Sequence, residues 1–152
     1  MRLALYEPDI PQNAAALIRL GACLGVPVDI IEPCGFLFSD AAFKRAGMDY
    51  LDRAQVRRHD SWLAFLARQR ELERRTILLT SRSSFPYTDF AFARSDTVLL
   101  GRESAGVPQE VHDAVDARLK IPMRAGLRSI NVAQAGAMVL GEALRQTGSF
   151  PP

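Results

Sequence analysis

The sequence predicts an α/β domain: a mostly parallel sheet with helices on both faces. Three observations carry that reading. Short apolar runs that read as strands alternate along the chain with segments of helical periodicity, the pattern of repeated βαβ units. Two of those runs, residues 76–80 (TILLT) and 97–100 (TVLL), are apolar on consecutive residues, as strands buried on both faces are. The 152 residues, 48% hydrophobic and 24% charged, have the size and composition of one globular domain spanning 1–152, without repeats or a low-complexity linker.

The elements follow in order. Residues 2–7 (RLALYE) form a strand stopped by Pro8. Pro11-Gln12-Asn13 opens a helix with Asn13 as its N-cap, a core stripe of Leu17, Leu20, Gly21 and Leu24, and an end at Gly25 and Pro27. Residues 28–32 (VDIIE) are the second strand. Asp40 caps a short helix through Lys44 that stops at Gly47. Strand-like residues 55–58 precede Asp60, which caps a helix over 61–73. After the two buried strands come a short helix over 108–115 with Pro108 in its first turn and a last strand over 118–121. A final helix starts at Ser129 or Ile130 and runs to Gly148. Its apolar face is broad enough to need cover from the sheet and from a second subunit.

Composition excludes several classes. The N-terminus meets Pro8 and acids too soon for a signal peptide, and no apolar run approaches the ~20 residues that cross a bilayer. Cys23 and Cys34 are too few for a disulfide framework and are expected as buried small hydrophobes. A reducing, cytoplasmic setting without a membrane is the expectation. His59 and His112 have no partners at metal spacing and are expected at the surface or at caps; no metal is expected. The net charge of +2 offers little long-range attraction to nucleic acid. Of the 19 basic residues, 17 are Arg, which suits bidentate phosphate contacts, although genomic base composition accounts for the count by itself. Arg57-Arg58 and the run from Arg68 to Arg75 read equally well as solvated helix ends.

Open parallel sheets bind ligands at the carboxyl ends of their strands, so the loops beginning at Thr80, Gly101 and Pro122 matter most. Residues 101–106 (GRESAG) have the glycine spacing of a P-loop but continue into Val107-Pro108, without its lysine and hydroxyl. Neither a GxGxxG after the first strand nor a GxSxG elbow is present. Three polar settings remain. Arg19 has only Ala15, Ala16, Ala22 and Cys23 at helical spacing, a surface that admits close approach. Gly101-x-Glu103-x-x-Gly106-x-Pro108 describes a shaped loop, and a plain turn has no need of its glutamate. Ile121-Pro122-Met123 leads through a short segment, 124–128, to Ser129-Ile130-Asn131 at a helix N-terminus.

Together and in this order these segments resemble the SPOUT superfamily of RNA methyltransferases. The first motif resembles Pro11-x-Asn13 with Arg19, the second Gly101-x-Glu103-x-x-Gly106-x-Pro108, and the third Ile121-Pro122-Met123 with Ser129-x-Asn131. Residues 6–13 (YEPDIPQN) and 44–50 (KRAGMDY) resemble the branch that methylates the ribose 2′-OH of the tRNA wobble nucleotide, cytidine or uridine. The first motif departs from the family at Ala15 and Ala16, where Gly and Asn are usual, so no role passes to Ala16.

The resemblance implies a trefoil knot that holds S-adenosylmethionine (SAM), a homodimer, and the tRNA anticodon stem-loop as partner. It implies main-chain contacts to SAM at Leu79, Gly101 and Ile121, with Thr80, Glu103 and Met123 alongside and Ser129 closing the site. Arg19, Asn13, Ser129 and Asn131 are the implied catalytic set, with Glu103 and Asn131 ordering the loops. A guanidinium stays protonated, so Arg19 is read as an anchor for phosphate or developing alkoxide charge rather than as a base. Arg124 and Arg128 are further candidates for RNA contact. Rival readings are a 2′-O-methyltransferase for another tRNA position and a non-catalytic RNA-binding knot protein.

Overall fold

A computed structural model describes residues 1–37 and 53–152. The expected Asp40 cap, the short helix through Lys44 to Gly47, and the 44–50 motif lie outside the described residues. Among the described residues six strands, β1 (Arg2–Tyr6), β2 (Val28–Ile31), β3 (Val56–His59), β4 (Thr76–Leu79), β5 (Thr97–Leu100) and β6 (Ala117–Leu119), form one sheet in the order β3-β2-β1-β5-β4-β6. Every pairing is parallel. The mostly parallel sheet expected from the alternating elements is thus wholly parallel.

Strand side chains alternate between the two faces, and both faces are apolar. Leu3, Leu5, Ile30, Val98 and Leu100 pack against α1 (Pro11–Leu24) and α4 (Val132–Thr147). Ala4, Tyr6, Ile31, Leu78 and Leu99 face α2 (Trp62–Glu71) and α3 (Gln109–Ala114). The helices α1 and α4 meet closely because Gly136 leaves room. A Cβ there would lie 2.8 Å from both Leu17 and Leu100. Much of the broad apolar surface of α4, including Val139, Leu140, Ala143 and Leu144, is therefore buried within the chain itself.

Several local expectations are corrected. Pro11 takes the first position of α1, which makes Ile10 the N-cap and leaves the Asn13 side chain free for other bonds. Ser61, not Asp60, caps α2, its hydroxyl accepting from the Ala64 amide at 3.2 Å. The last helix, α4, begins at Val132 with Asn131 as its N-cap, rather than at Ser129 or Ile130. Cys23 faces solvent on α1, and Cys34 is half-buried, where desolvation pushes its thiol up to about 11. Arg57 and Arg58 lie on strand β3 rather than at a helix end. Among the described residues no helix is long and apolar enough to cross a membrane.

Both histidines are buried rather than at the surface. His59 Nε2 lies 2.8 Å from Oδ1 of the buried Asp29, and its ring meets Phe65 edge-on. His112 has its pKa held below 6.5 by burial first, then by Arg82 and Arg118. Folding therefore favours the neutral His112 ring. That contribution is complete above the unfolded value of 6.5 and is lost as pH falls below it through the folded pKa. Stability measured by urea unfolding should fall as pH drops below about 6.5, and His112→Gln should flatten the fall. An identical pH profile in the variant would remove His112 as its source.

Candidate functional site

A cleft of about 380 Å³ opens at the carboxyl ends of β4, β5 and β6. This is where an open parallel sheet gathers loops and helix N-termini. Besides the end of β4 with Thr80 and Ser81, three chain segments converge on it: the start of α1, the loop after β5, and the stretch from β6 into α4.

Hydrogen bonds tie those segments together in one direction. The amides of Ala133 and Gln134, at the open N-terminus of α4, donate to Asn131 Oδ1 at 2.9 and 3.3 Å. Asn131 Nδ2 donates to Asn13 Oδ1 at 3.0 Å, across 118 residues of sequence. Asn13 Nδ2 in turn donates to Glu103 Oε1 at 3.1 Å. The other carboxylate oxygen, Oε2, accepts from the Asp9 amide at 3.1 Å. A carboxylate only accepts, so it fixes which way the Asn13 amide points, and Asn13 then fixes Asn131.

The loop between Gly101 and Gly106 is shaped by its backbone. Arg102 and Gly106 exchange hydrogen bonds at 3.0 and 2.8 Å, and Gly106 is left-handed with φ of 68°. A Cβ on Gly101 would lie 3.0 Å from the Gly106 backbone, so the two glycines let main chain approach main chain at the cleft floor. Arg102 Nε donates to the Glu7 carbonyl at 3.2 Å, and its guanidinium pairs with the Glu7 carboxylate. Glu7 has φ of 41°, uncommon for a residue with a side chain, and sits at the turn leaving β1. The Ser104 hydroxyl donates to Asp9 Oδ2, while Asp9 Oδ1 is buried without a hydrogen-bond partner among the described residues.

Most of the residues singled out by sequence meet here. Asn13, Glu103, Ser129 and Asn131 line the cleft, as do Gly101 and Met123. So do Leu79, Thr80 and Ile121. Arg19 does not. It lies on the exposed face of α1, six residues beyond Asn13, or roughly 9 Å along the helix axis. Arg124 and Arg128 are exposed in the segment that ends at Ser129. Sequence reasoning missed Ile10, Ser81 and Arg102 in the lining. Arg102 carried a readable signal, a charged residue inside a glycine-bounded loop; Ile10 and Ser81 carried none. The mixed lining, apolar with a few convergent polar groups, suits a ligand of nucleoside size. Among the described residues no group of three or more His, Cys, Asp or Glu side chains could hold a metal ion.

The sequence profile of the SpoU rRNA Methylase family matches residues 1–141. The tRNA (cytidine(34)-2′-O)-methyltransferase of Ancylobacter novellus is 60% identical over 150 residues, covering 99% of this chain and 95% of that protein. A solved structure concerned with the 2-OH methylation of C/U34 on tRNA superposes with a TM-score of 0.89 and 41% identity, covering 95% of this chain and 94% of that one. An AdoMet-bound rRNA methyltransferase from Sinorhizobium meliloti superposes with a TM-score of 0.85 and 25% identity, covering 95% of this chain and 55% of that one.

The double role of Asn131 can be separated. Asn131→Ala should lower stability to urea by about 1 kcal/mol through loss of the cap. Asn131→Asp keeps the accepting oxygen and should recover most of that loss, though it cannot donate to Asn13. Equal destabilisation by both variants would show that the cap is not what Asn131 contributes.

Proposed function

The chain belongs to the SpoU rRNA Methylase family, and we propose that it transfers a methyl group from SAM to the ribose 2′-OH of the wobble cytidine or uridine, nucleotide 34 of tRNA. The observation that carries this reading is the single-direction bond network that joins Asn13, Glu103 and Asn131 at a cleft floored by Gly101 and Gly106. The high identity to named tRNA methyltransferases of nearly the same length supports the position and the substrate.

The cleft fits SAM. Its volume of about 380 Å³ accepts a nucleoside with a short tail, and the close Gly101–Gly106 backbones form a floor that a side chain would fill. Bound there, SAM supplies an electrophilic methyl group. Main-chain atoms at Leu79, Gly101 and Ile121 would hold it, with Thr80, Glu103 and Met123 at its sides and Ser129 closing the opening. Glu103 and Asn131 keep the loops in register through Asn13, and loops so held would position the ribose hydroxyl for reaction. Arg19 lies on the exposed face of α1 and serves a site completed by a second copy of the chain. There its guanidinium anchors a phosphate or stabilises the charge developing on the ribose oxygen. Further parts of this reading are a C-terminal trefoil knot, a single catalytic domain over 1–152, a homodimer and a cytoplasmic location.

Purified protein, SAM and tRNA from a strain lacking the gene should yield 2′-O-methylated cytidine or uridine, mapped to nucleotide 34 by mass spectrometry of nuclease fragments. The active species should sediment as a dimer. Methylation mapped elsewhere in the tRNA, or none with a protein that binds SAM, would overturn the assignment.

A further inference from the structure

The amino-terminal edge of the sheet, opposite the cleft, gathers positive charge that the proposed reaction does not use. Parallel register fixes which side chains share a face there. Arg2 aligns with Thr97, Ala4 with Asp29, and Asp29 with Arg57. Aligned residues on neighbouring parallel strands point to one side, and so do residues two apart. Arg2, Asp29 and Arg57 thus share the face covered by α2. That helix is tied to the same edge by Gln69, which accepts a 2.8 Å hydrogen bond from the Thr97 hydroxyl, and Arg68 precedes it in the last turn. Arg74 enters the edge just before β4, whose Thr76 also aligns with Thr97.

Carboxylates at this edge are already engaged: Asp96 accepts from Arg75 at 2.8 and 2.7 Å, and Asp116 accepts from the Thr76 amide at 2.7 Å. Asp29, 1% exposed, is already bonded to Arg2 at 2.5 and 3.0 Å and to His59. Arg68 pairs with Glu71 on the exposed helix surface. Arg57 and Arg74 form no ion pair among the described residues. Arg74 is half-buried, and burial together with the charges of Arg2, Arg57 and Arg68, only partly offset by Asp29, holds its pKa below the ordinary arginine value. The carboxyl end of α2 accounts for Arg68 through the helix dipole, but not for Arg57 on β3 or for Arg74. A half-buried guanidinium among like charges costs free energy that a bound polyanion returns.

We infer that Arg57, Arg68 and Arg74 form a second RNA contact that grips backbone phosphates of the tRNA at the end of the sheet remote from the cleft, an inference that rests on the proposed tRNA substrate. The guanidinium fork suits phosphate oxygens, and such contacts position an RNA without reading its sequence. Four-residue strands separate the two ends of the sheet by roughly 13 Å. A tRNA spans that distance, whereas a single nucleotide in the cleft does not.

Arg57→Ala, Arg74→Ala and the double variant are titrated with full-length tRNA between about 50 and 200 mM salt. The slope of log affinity against log salt should become shallower by about 0.7 to 0.9 for each arginine removed, and by about twice that in the double variant. SAM affinity should not change. Thermal midpoints should stay at or above that of the parent, because each substitution relieves like-charge repulsion. An unchanged tRNA slope in the double variant overturns the inference. Loss of poly-aspartate binding beside an unchanged tRNA slope also overturns it, assigning the patch to an acidic protein surface. Failure of the proposed activity reads out separately: a parent protein that loses tRNA affinity on these substitutions, yet never methylates nucleotide 34, refutes the reaction and supports the patch.

Discussion

The carboxylate of Glu103 is where the three converging segments of this protein are joined. It accepts from the Asp9 amide in the β1–α1 turn and from the side chain of Asn13 in α1. Through Asn13 it reaches Asn131 and the first amides of α4. Each donor from α4 through Asn131 and Asn13 points toward the carboxylate, from a helix terminus that is partly positive to a group that is negative. Neither amide side chain can flip without setting two acceptors, or two donors, against each other. The network therefore fixes orientation as well as distance. A cleft whose opening is formed by loops needs that constraint, since loops otherwise sample many conformations.

The fold makes the meeting possible. Insertion of β5 between β1 and β4 places Leu100 beside Leu5, so the loop that follows β5 opens next to the turn that follows β1. The bare surface of Gly136 lets α4 settle against Leu17 and Leu100, which brings Asn131 at the head of α4 alongside Asn13 on α1. Arg102 adds a second tether by holding Glu7 in its left-handed turn. Packing on one face of the sheet thus sets the separation of the polar groups at its end, and core and site are not independent.

The alternation of elements and the carboxyl-end rule were legible in the sequence because they depend on local periodicity. Glu103 was legible because a glycine-bounded turn has no need of a carboxylate. Asparagine at a helix start is the usual signature of a cap, so the sequence points to Asn13 in a role it does not have. Pro11 had already set the start two residues earlier, which frees the amide for Glu103 and Asn131. The expectation of surface or capping histidines rests on polar side chains being mostly exposed; buried His59 instead meets Asp29, which the register sets opposite Arg57, two residues away on the same face. The position of Arg19 outside the cleft lining was not legible either, because helical spacing says which residues share a face but not what that face meets.

Whether Asn13 and Asn131 act through one another to hold the cleft is decided by a double-mutant cycle on SAM affinity. Asn13→Ala, Asn131→Asp and the double variant are compared by calorimetry. The network predicts a coupling of at least about 0.5 kcal/mol, because losing either amide removes the same bond. Effects that add within about 0.3 kcal/mol would contradict it and leave the two asparagines as independent neighbours of the cleft.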